Sequence, residues 1–250
     1  MNFLQAIRAD SESILHTTKR DPLAPVPACP GWNLVSLLAH VGGNHRYWTE
    51  NVRTGVRPNP DDVQEVGPPE CETYDDAWLE SVWDWFNTGV ENLIAILETE
   101  AADKPVWNWS GQNQTRSFWN RRMAHETAVH RCDADSAFGA PSPMPTWLAE
   151  DGIDELLSVI LPGFLLPDRP RATTGGWLAL EAADTDTRWV VKLEAGSVEV
   201  GRDEKAEATA VGDASALLLW SYGRPTSEVN VAGRPDVADA WRNACAFRGE

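Results

Sequence analysis

The chain has 250 residues, enough for one large domain or two modest ones, and its 42% hydrophobic and 24% charged residues are those of an ordinary globular protein. A net charge of −17 argues against non-specific nucleic-acid binding and against docking on anionic membranes. The four cysteines, Cys29, Cys71, Cys132 and Cys245, form no C-x-x-C pair, so reduced thiols in a cytoplasmic setting are expected rather than a disulfide framework or zinc ribbon.

The N-terminal segment spaces Leu4, Ile7, Ile14 and Leu15 helically among charges, and predicts a helix over residues 2–19 rather than a signal peptide. The proline-rich DPLAPVPACPGW then enforces an extended loop. Asn33 is placed to cap a second helix, NLVSLLAHVGGNHRYWTENV, in which Gly42 and Gly43 suggest a closely packed neighbour or ligand. A second loop precedes a third helix over about residues 73–101, with Trp78, Val82, Trp85, Leu93, Ile96 and Leu97 on its core face. The fourth helix runs from about Phe118 to Phe138 and is closed by Gly139. Four helices in the first 143 residues predict an up-and-down bundle.

From residue 144 the pattern changes. A helix over WLAEDGIDELLSVILPGF is followed by four short alternating strands, a helix DASALLLWSYG capped by Asp213, a strand EVNVAG and a terminal helix. This reads as a small α+β domain over residues 144–250. No stretch approaches the length of a membrane span.

The fourth helix carries the chemistry. Glu126 and His130 are four apart and converge on one face, whereas His125 and His130 are separated by about 140° around the axis and cannot easily share an ion. This is not the H-E-x-x-H arrangement of a zinc protease, and Glu126 is itself the better ligand. A third ligand must come from a facing helix, where His40 and His45 are both candidates, and periodicity does not choose between them. Cys132 lies about 200° from the ligand face and reads as packing. Arg46, Arg121, Arg122 and Arg131 are the nearby cations, and Asp133 is placed either to orient Arg131 or to hydrogen-bond a ligand imidazole. Arg224, in YGRP, is the C-terminal candidate for reaching a site between the domains. Trp107, Trp109 and Trp119 could wall a pocket, with core packing the better expectation.

CPGWNLVSLLAHVGG and HETAVHRCDADSAFG, with DGIDE and GDASALLLWSYGRP further on, resemble the mycothiol-dependent maleylpyruvate isomerase family of the DinB-like metal-binding superfamily. The resemblance implies a DinB-like bundle followed by a sterol-carrier-protein-like α+β domain. It also implies a metal set of His40, Glu126 and His130, with His45 and His125 outside it. Three protein ligands with an open position suit a catalytic zinc, although Ni²⁺ or Fe²⁺ would also accept His₂Glu. The implied chemistry deprotonates a low-molecular-weight thiol, mycothiol, as cosubstrate. In the isomerase the thiolate adds to an activated double bond, the adduct rotates and the thiol leaves; in an S-transferase the thiol stays on the electrophile. Arg131, Asp133 and Arg224 are then the residues expected to serve a carboxylate or electrophilic substrate. Two other classes fit the same residues: a metal-dependent hydrolase using His45, His125 or Asp133 as base, and a non-catalytic small-molecule-binding or regulatory module.

Overall fold

The computed structural model describes residues 2–70, 74–165, 176–194, 197–201 and 204–246. The chain divides into two compact units, Met1–Ser142 and Pro143–Glu250.

Four helices build the first unit: α1 (Phe3–Arg20), α2 (Leu34–Thr54), α3 (Asp76–Thr99) and α4 (Arg116–Asp135). Three of their starts are set by side-chain caps. The Asn2, Asn33 and Asp75 side chains accept from the backbone N–H of Gln5, Ser36 and Trp78, satisfying donors that the first turn leaves open. Helix α2 ends at Gly55, whose φ of 79° is the left-handed cap that glycine adopts without strain. Helix α4 packs against α1 and α2, and α2 packs against α3. The two glycines within α2 mark close neighbours. A Cβ at Gly42 would strike the Trp85 ring, and one at Gly43 would come within 2.9 Å of the Val66 carbonyl. On α3, Val82, Trp85, Leu93 and Leu97 are buried as the spacing predicts, but Phe86 and Ile94 join them. Trp78 and Ile96 are half-buried, and the Trp78 indole donates to the Pro69 carbonyl.

Between α1 and α2 the proline-rich segment closes on itself. The N–H of Val26 donates to Trp32 O, that of Trp32 to Cys29 O, and that of Leu34 to Ala24 O. Gly31, at φ +89°, makes the turn that brings Trp32 back against the loop.

The second unit begins with α5 (Thr146–Glu155), which widens into π-helical turns over Leu156–Leu165 around Pro162. Its sheet contains β1 (Trp177–Ala182), β2 (Arg188–Glu194), β3 (Ser197–Gly201), β4 (Ala208–Gly212) and β5 (Asn230–Gly233), in the order β3-β2-β1-β4-β5. The β1–β4 pair is parallel, with Leu180 opposite Ala210; the other pairs are antiparallel, with Leu180 opposite Trp189 in β2. Helices α6 (Ala214–Ser221) and α7 (Pro235–Cys245) pack on this sheet. Asp213 precedes α6 as predicted, but its side chain makes no capping bond. The carboxylate of Asp184, in the β1–β2 turn, accepts from Ala214 N–H instead. The architecture is therefore a helical bundle followed by an α+β domain, the fold class expected from the sequence. Among the described residues, no helix is long and apolar enough to cross a membrane.

Candidate metal centre

Two helical stripes meet in the bundle. Helix α2 contributes His40 and, one turn later, Asn44. Helix α4 contributes Arg122, Glu126 and His130, also at four-residue spacing, so that their side chains lie in one row. Where the stripes face each other, Glu126 Oε1 lies 3.6 Å from His40 Nε2 and 3.3 Å from His130 Nε2. The two imidazoles meet edge to face with centroids 4.9 Å apart.

These separations can be compared with the needs of an ion. Zinc bonds of about 2.0–2.2 Å to nitrogen and oxygen, arranged tetrahedrally, put adjacent donor atoms about 3.3–3.6 Å apart. The two measured edges lie at that spacing, and all three donor atoms fall within 4.8 Å of one another. The donor set, two imidazoles and one carboxylate, also suits such an ion.

Glu126 and His130 are each held through the atom that faces away from the other, and Asn44 bridges the donor atoms of Glu126 and His40. Asp133 Oδ2 lies 3.0 Å from His130 Nδ1, which places a proton on that nitrogen and turns Nε2 toward Glu126. Cys29 Sγ donates to the same carboxylate oxygen at 3.5 Å. Glu126 Oε2 accepts from Arg122 Nη2 at 2.8 Å, and Asn44 Nδ2 lies 3.2 Å from Oε1 and 3.0 Å from His40 Nε2. Trp32 packs its ring against His40 and His130, with centroids 4.9 and 6.4 Å away.

Burial alone would raise the Glu126 carboxyl and lower His130. Glu126 is nevertheless held well below the usual carboxylate range by hydrogen bonds from His130 and His40 and by the charges of His130 and Arg122. His130 is carried well above the ordinary histidine value by Asp133, Cys29 and Glu126. The pair is thus poised as carboxylate and imidazolium, with one proton on Nε2 for a cation to replace.

Several other residues of the first unit singled out from the sequence find partners away from the three donor atoms. Arg131, expected beside a substrate carboxylate, turns toward α1 and binds Asp10 and Asp135. Asp133 takes the imidazole, the second of its two expected partners. His45 is fully buried with Nε2 3.0 Å from Thr127 Oγ1, and burial pushes it down to about 4. His125 meets Phe3 edge-on with ring centroids 6.0 Å apart. The Cys132 thiol is pushed up to about 12, chiefly by burial, and contacts the Ser142 carbonyl. Trp119 is fully buried and stacks on Trp48 at 4.1 Å, while Trp109 packs edge-on against Phe118. The side chain of Trp107 receives Arg57 over its ring. Arg224 is buried in the second unit, where its guanidinium donates to the Tyr222 carbonyl.

The sequence reading assigned no role to Cys29, Trp32 or Asn44, and named Arg122 only as one nearby cation. Arg122 and Asn44 were detectable by spacing, each being four residues from a ligand candidate. Cys29 and Trp32 reach the centre through the closed loop.

Residues 4–135 match the family model described as the mycothiol maleylpyruvate isomerase N-terminal domain. The chain belongs to that family. A crystal structure of a mycothiol-dependent maleylpyruvate isomerase shares its fold at a TM-score of 0.63 and 15% identity, over 93% of this chain and 92% of that one. A histidine-to-alanine mutant of a mycothiol-dependent maleylpyruvate isomerase gives 0.62 at 13% identity over the same shares. A sterol carrier protein 2-like 2 structure from Aedes aegypti aligns with 40% of this chain and 98% of its own length, at 19% identity and a TM-score of 0.30. No match was found among curated protein sequences.

Proposed function

We propose that His40, Glu126 and His130 hold a divalent ion, zinc, and that the protein is a thiol-dependent enzyme using mycothiol. The observation that carries this reading is the convergence of three donor atoms from two helices, with both edges to Glu126 at the lengths of a zinc tetrahedron. It is supported by family membership and by the solved relatives, whose titles name a mycothiol-dependent maleylpyruvate isomerase.

A bound ion supplies the acidity that turns a neutral thiol into a thiolate near pH 7. The protein's own residues do the rest. Asp133 fixes the tautomer of His130, Arg122 fixes the Glu126 carboxylate, and Trp32 covers one side of the imidazole pair. The reaction class is addition of the thiolate to an electrophilic double bond, either reversed after rotation, as an isomerase requires, or retained, as an S-transferase requires. A hydrolase is less well served. Of its candidate bases, His45 is engaged by Thr127 and Asp133 by His130, and His125 is buried edge-on against Phe3.

The test is metal analysis of protein purified without added metal, repeated on His40→Ala and Glu126→Ala. The native protein should carry one equivalent of zinc and the variants almost none. Zinc retained in full by both variants would remove this triad from consideration. With mycothiol and maleylpyruvate, isomerisation that consumes no thiol identifies the isomerase, and a stable thiol adduct of an electrophile identifies the transferase. Turnover of an ester or amide without thiol would replace both with a hydrolase.

A further inference from the structure

The two oxygens of Glu126 are in different company. Oε1 faces His40 Nε2 at 3.6 Å, His130 Nε2 at 3.3 Å and Asn44 Nδ2 at 3.2 Å. Oε2 is turned out of this group and accepts from Arg122 Nη2 at 2.8 Å. Arg122 stands one turn earlier on α4, and its side chain is only 9% exposed. Water is therefore poorly placed to replace it on Oε2.

We propose that Arg122 is a positioning residue that keeps Glu126 a one-oxygen ligand and so preserves an open coordination position for the thiol. This inference rests on the metal reading above. A carboxylate can bind a cation through one oxygen or through both. Two-oxygen chelation would raise the protein donors from three to four, and four protein donors make the closed arrangement of structural zinc sites. An arginine is suited to prevent it. The planar guanidinium binds an oxygen in a fixed direction, and its permanent charge draws electron density from the carboxylate, leaving the ion more acidic toward a thiol. A lysine would supply the charge without the directed fork. An exposed ion pair at this spacing would add little beyond helix stability, but this one is buried against a ligand candidate.

Cobalt(II) in place of zinc reads coordination number directly, because its visible bands are strong when four-coordinate and weak when the number rises. Full-length protein, Arg122→Met and Arg122→Lys are each loaded with cobalt and titrated with mycothiol, with helix content followed by circular dichroism. The native protein should show strong bands and gain a near-ultraviolet sulfur-to-cobalt band on adding thiol. In Arg122→Met the second carboxylate oxygen either adds to the coordinated water, weakening the visible bands severalfold, or displaces it, shifting the bands at similar strength; in both cases thiol affinity should fall by roughly 10- to 100-fold, the usual effect of losing an outer partner. Arg122→Lys should fall between the two. Native bands and native thiol affinity in Arg122→Met, at native helix content, overturn the inference and leave the metal reading intact. Should Arg122→Met fail to fold, Arg122→Lys and Arg122→Gln carry the test, and native spectra in both overturn it. A native protein that takes up no cobalt overturns the metal reading and this inference with it.

Discussion

Helices α4 and α6 are both surrounded by protein, yet their compositions are opposite. All eight residues of α6 are buried, and its only polar side chains, Ser215 and Ser221, each accept one hydrogen bond, from Met144 N–H and from the Trp241 indole. Helix α4 buries fifteen of its twenty residues, among them Arg116, Arg122, His125, His130, Arg131 and Asp133. An apolar helix gains stability from the area it removes from water. A polar helix in the same situation must find a partner for each charge, and replacing such partners with well-packed hydrocarbon is often neutral or stabilising. The polarity of α4 is therefore better explained by chemistry than by folding, and substitutions should separate the two helices.

The largest effect on stability should come from α6. Leu217 is fully buried, and Leu217→Ala should lower unfolding free energy by about 2–5 kcal/mol through lost transfer energy and the cavity left behind. Urea denaturation measures this, and metal content of the folded protein should not change. A Leu217→Ala protein of native stability that had lost its metal would reverse the division of labour between the helices.

Asp133→Asn is the matching change in α4. The amide keeps the shape and can still accept from His130 Nδ1, but it loses the charge that raises the basicity of the imidazole. Metal affinity should fall by roughly 10- to 100-fold, about 1.4–2.7 kcal/mol, in a variant that keeps native helix content. Competition against a chromophoric chelator measures it. Native affinity in this variant would make Asp133 a structural partner only.

The same contrast explains what could be read from the sequence. Local periodicity is enough to pair Glu126 with His130, to separate His125 from them and to place Asn33 as a cap. It also gives the order of helices and strands, because each depends on residues within a few positions of one another. The choice of His40 over His45 needed the resemblance to a family, since both sit on α2 five residues apart. What escaped is long-range. Cys29 reaches Asp133 across 104 residues because the proline loop closes on itself, and no local pattern encodes that closure. Arg131 follows a ligand candidate in sequence but turns about a quarter of the helix away from it, to Asp10 in α1. Gly42 and Gly43 signalled a close neighbour without saying which, and the neighbours are Trp85 and a backbone carbonyl.

Proton linkage sharpens the reading of α4 further. Before an ion binds, the raised His130 contributes stability fully below its ordinary value of 6.5, and this is lost as pH rises through its elevated folded value. The depressed Glu126 contributes above its ordinary 4.5, and that share is lost as pH falls through its lowered folded value. Ion-free protein should therefore gain most from this pair between these ordinary values. An ion must displace the His130 proton, so its apparent affinity should rise about tenfold per pH unit until the folded value is passed. Chelator competition from pH 6 to pH 8 gives the slope, and a flat profile would count against His130 as a ligand.

The smallest effect tests the polar support at the start of α6. Asp213 stands at its N-cap, where a short polar residue would ordinarily be assigned the capping bond, yet its side chain is exposed and makes none. The bond to Ala214 N–H comes from Asp184 Oδ1, thirty residues earlier, while Oδ2 accepts from the Thr146 hydroxyl. One carboxylate in the β1–β2 turn thus ties the start of α6 to the start of α5. Asp184→Ala should cost about 1 kcal/mol, the usual value of a lost cap. Asp213→Ala should stay within about 0.5 kcal/mol of the native protein, as exposed substitutions do. Paired urea titrations distinguish the two, and the reverse order of effects would return the cap to Asp213 and make the turn at Asp184 incidental to α6.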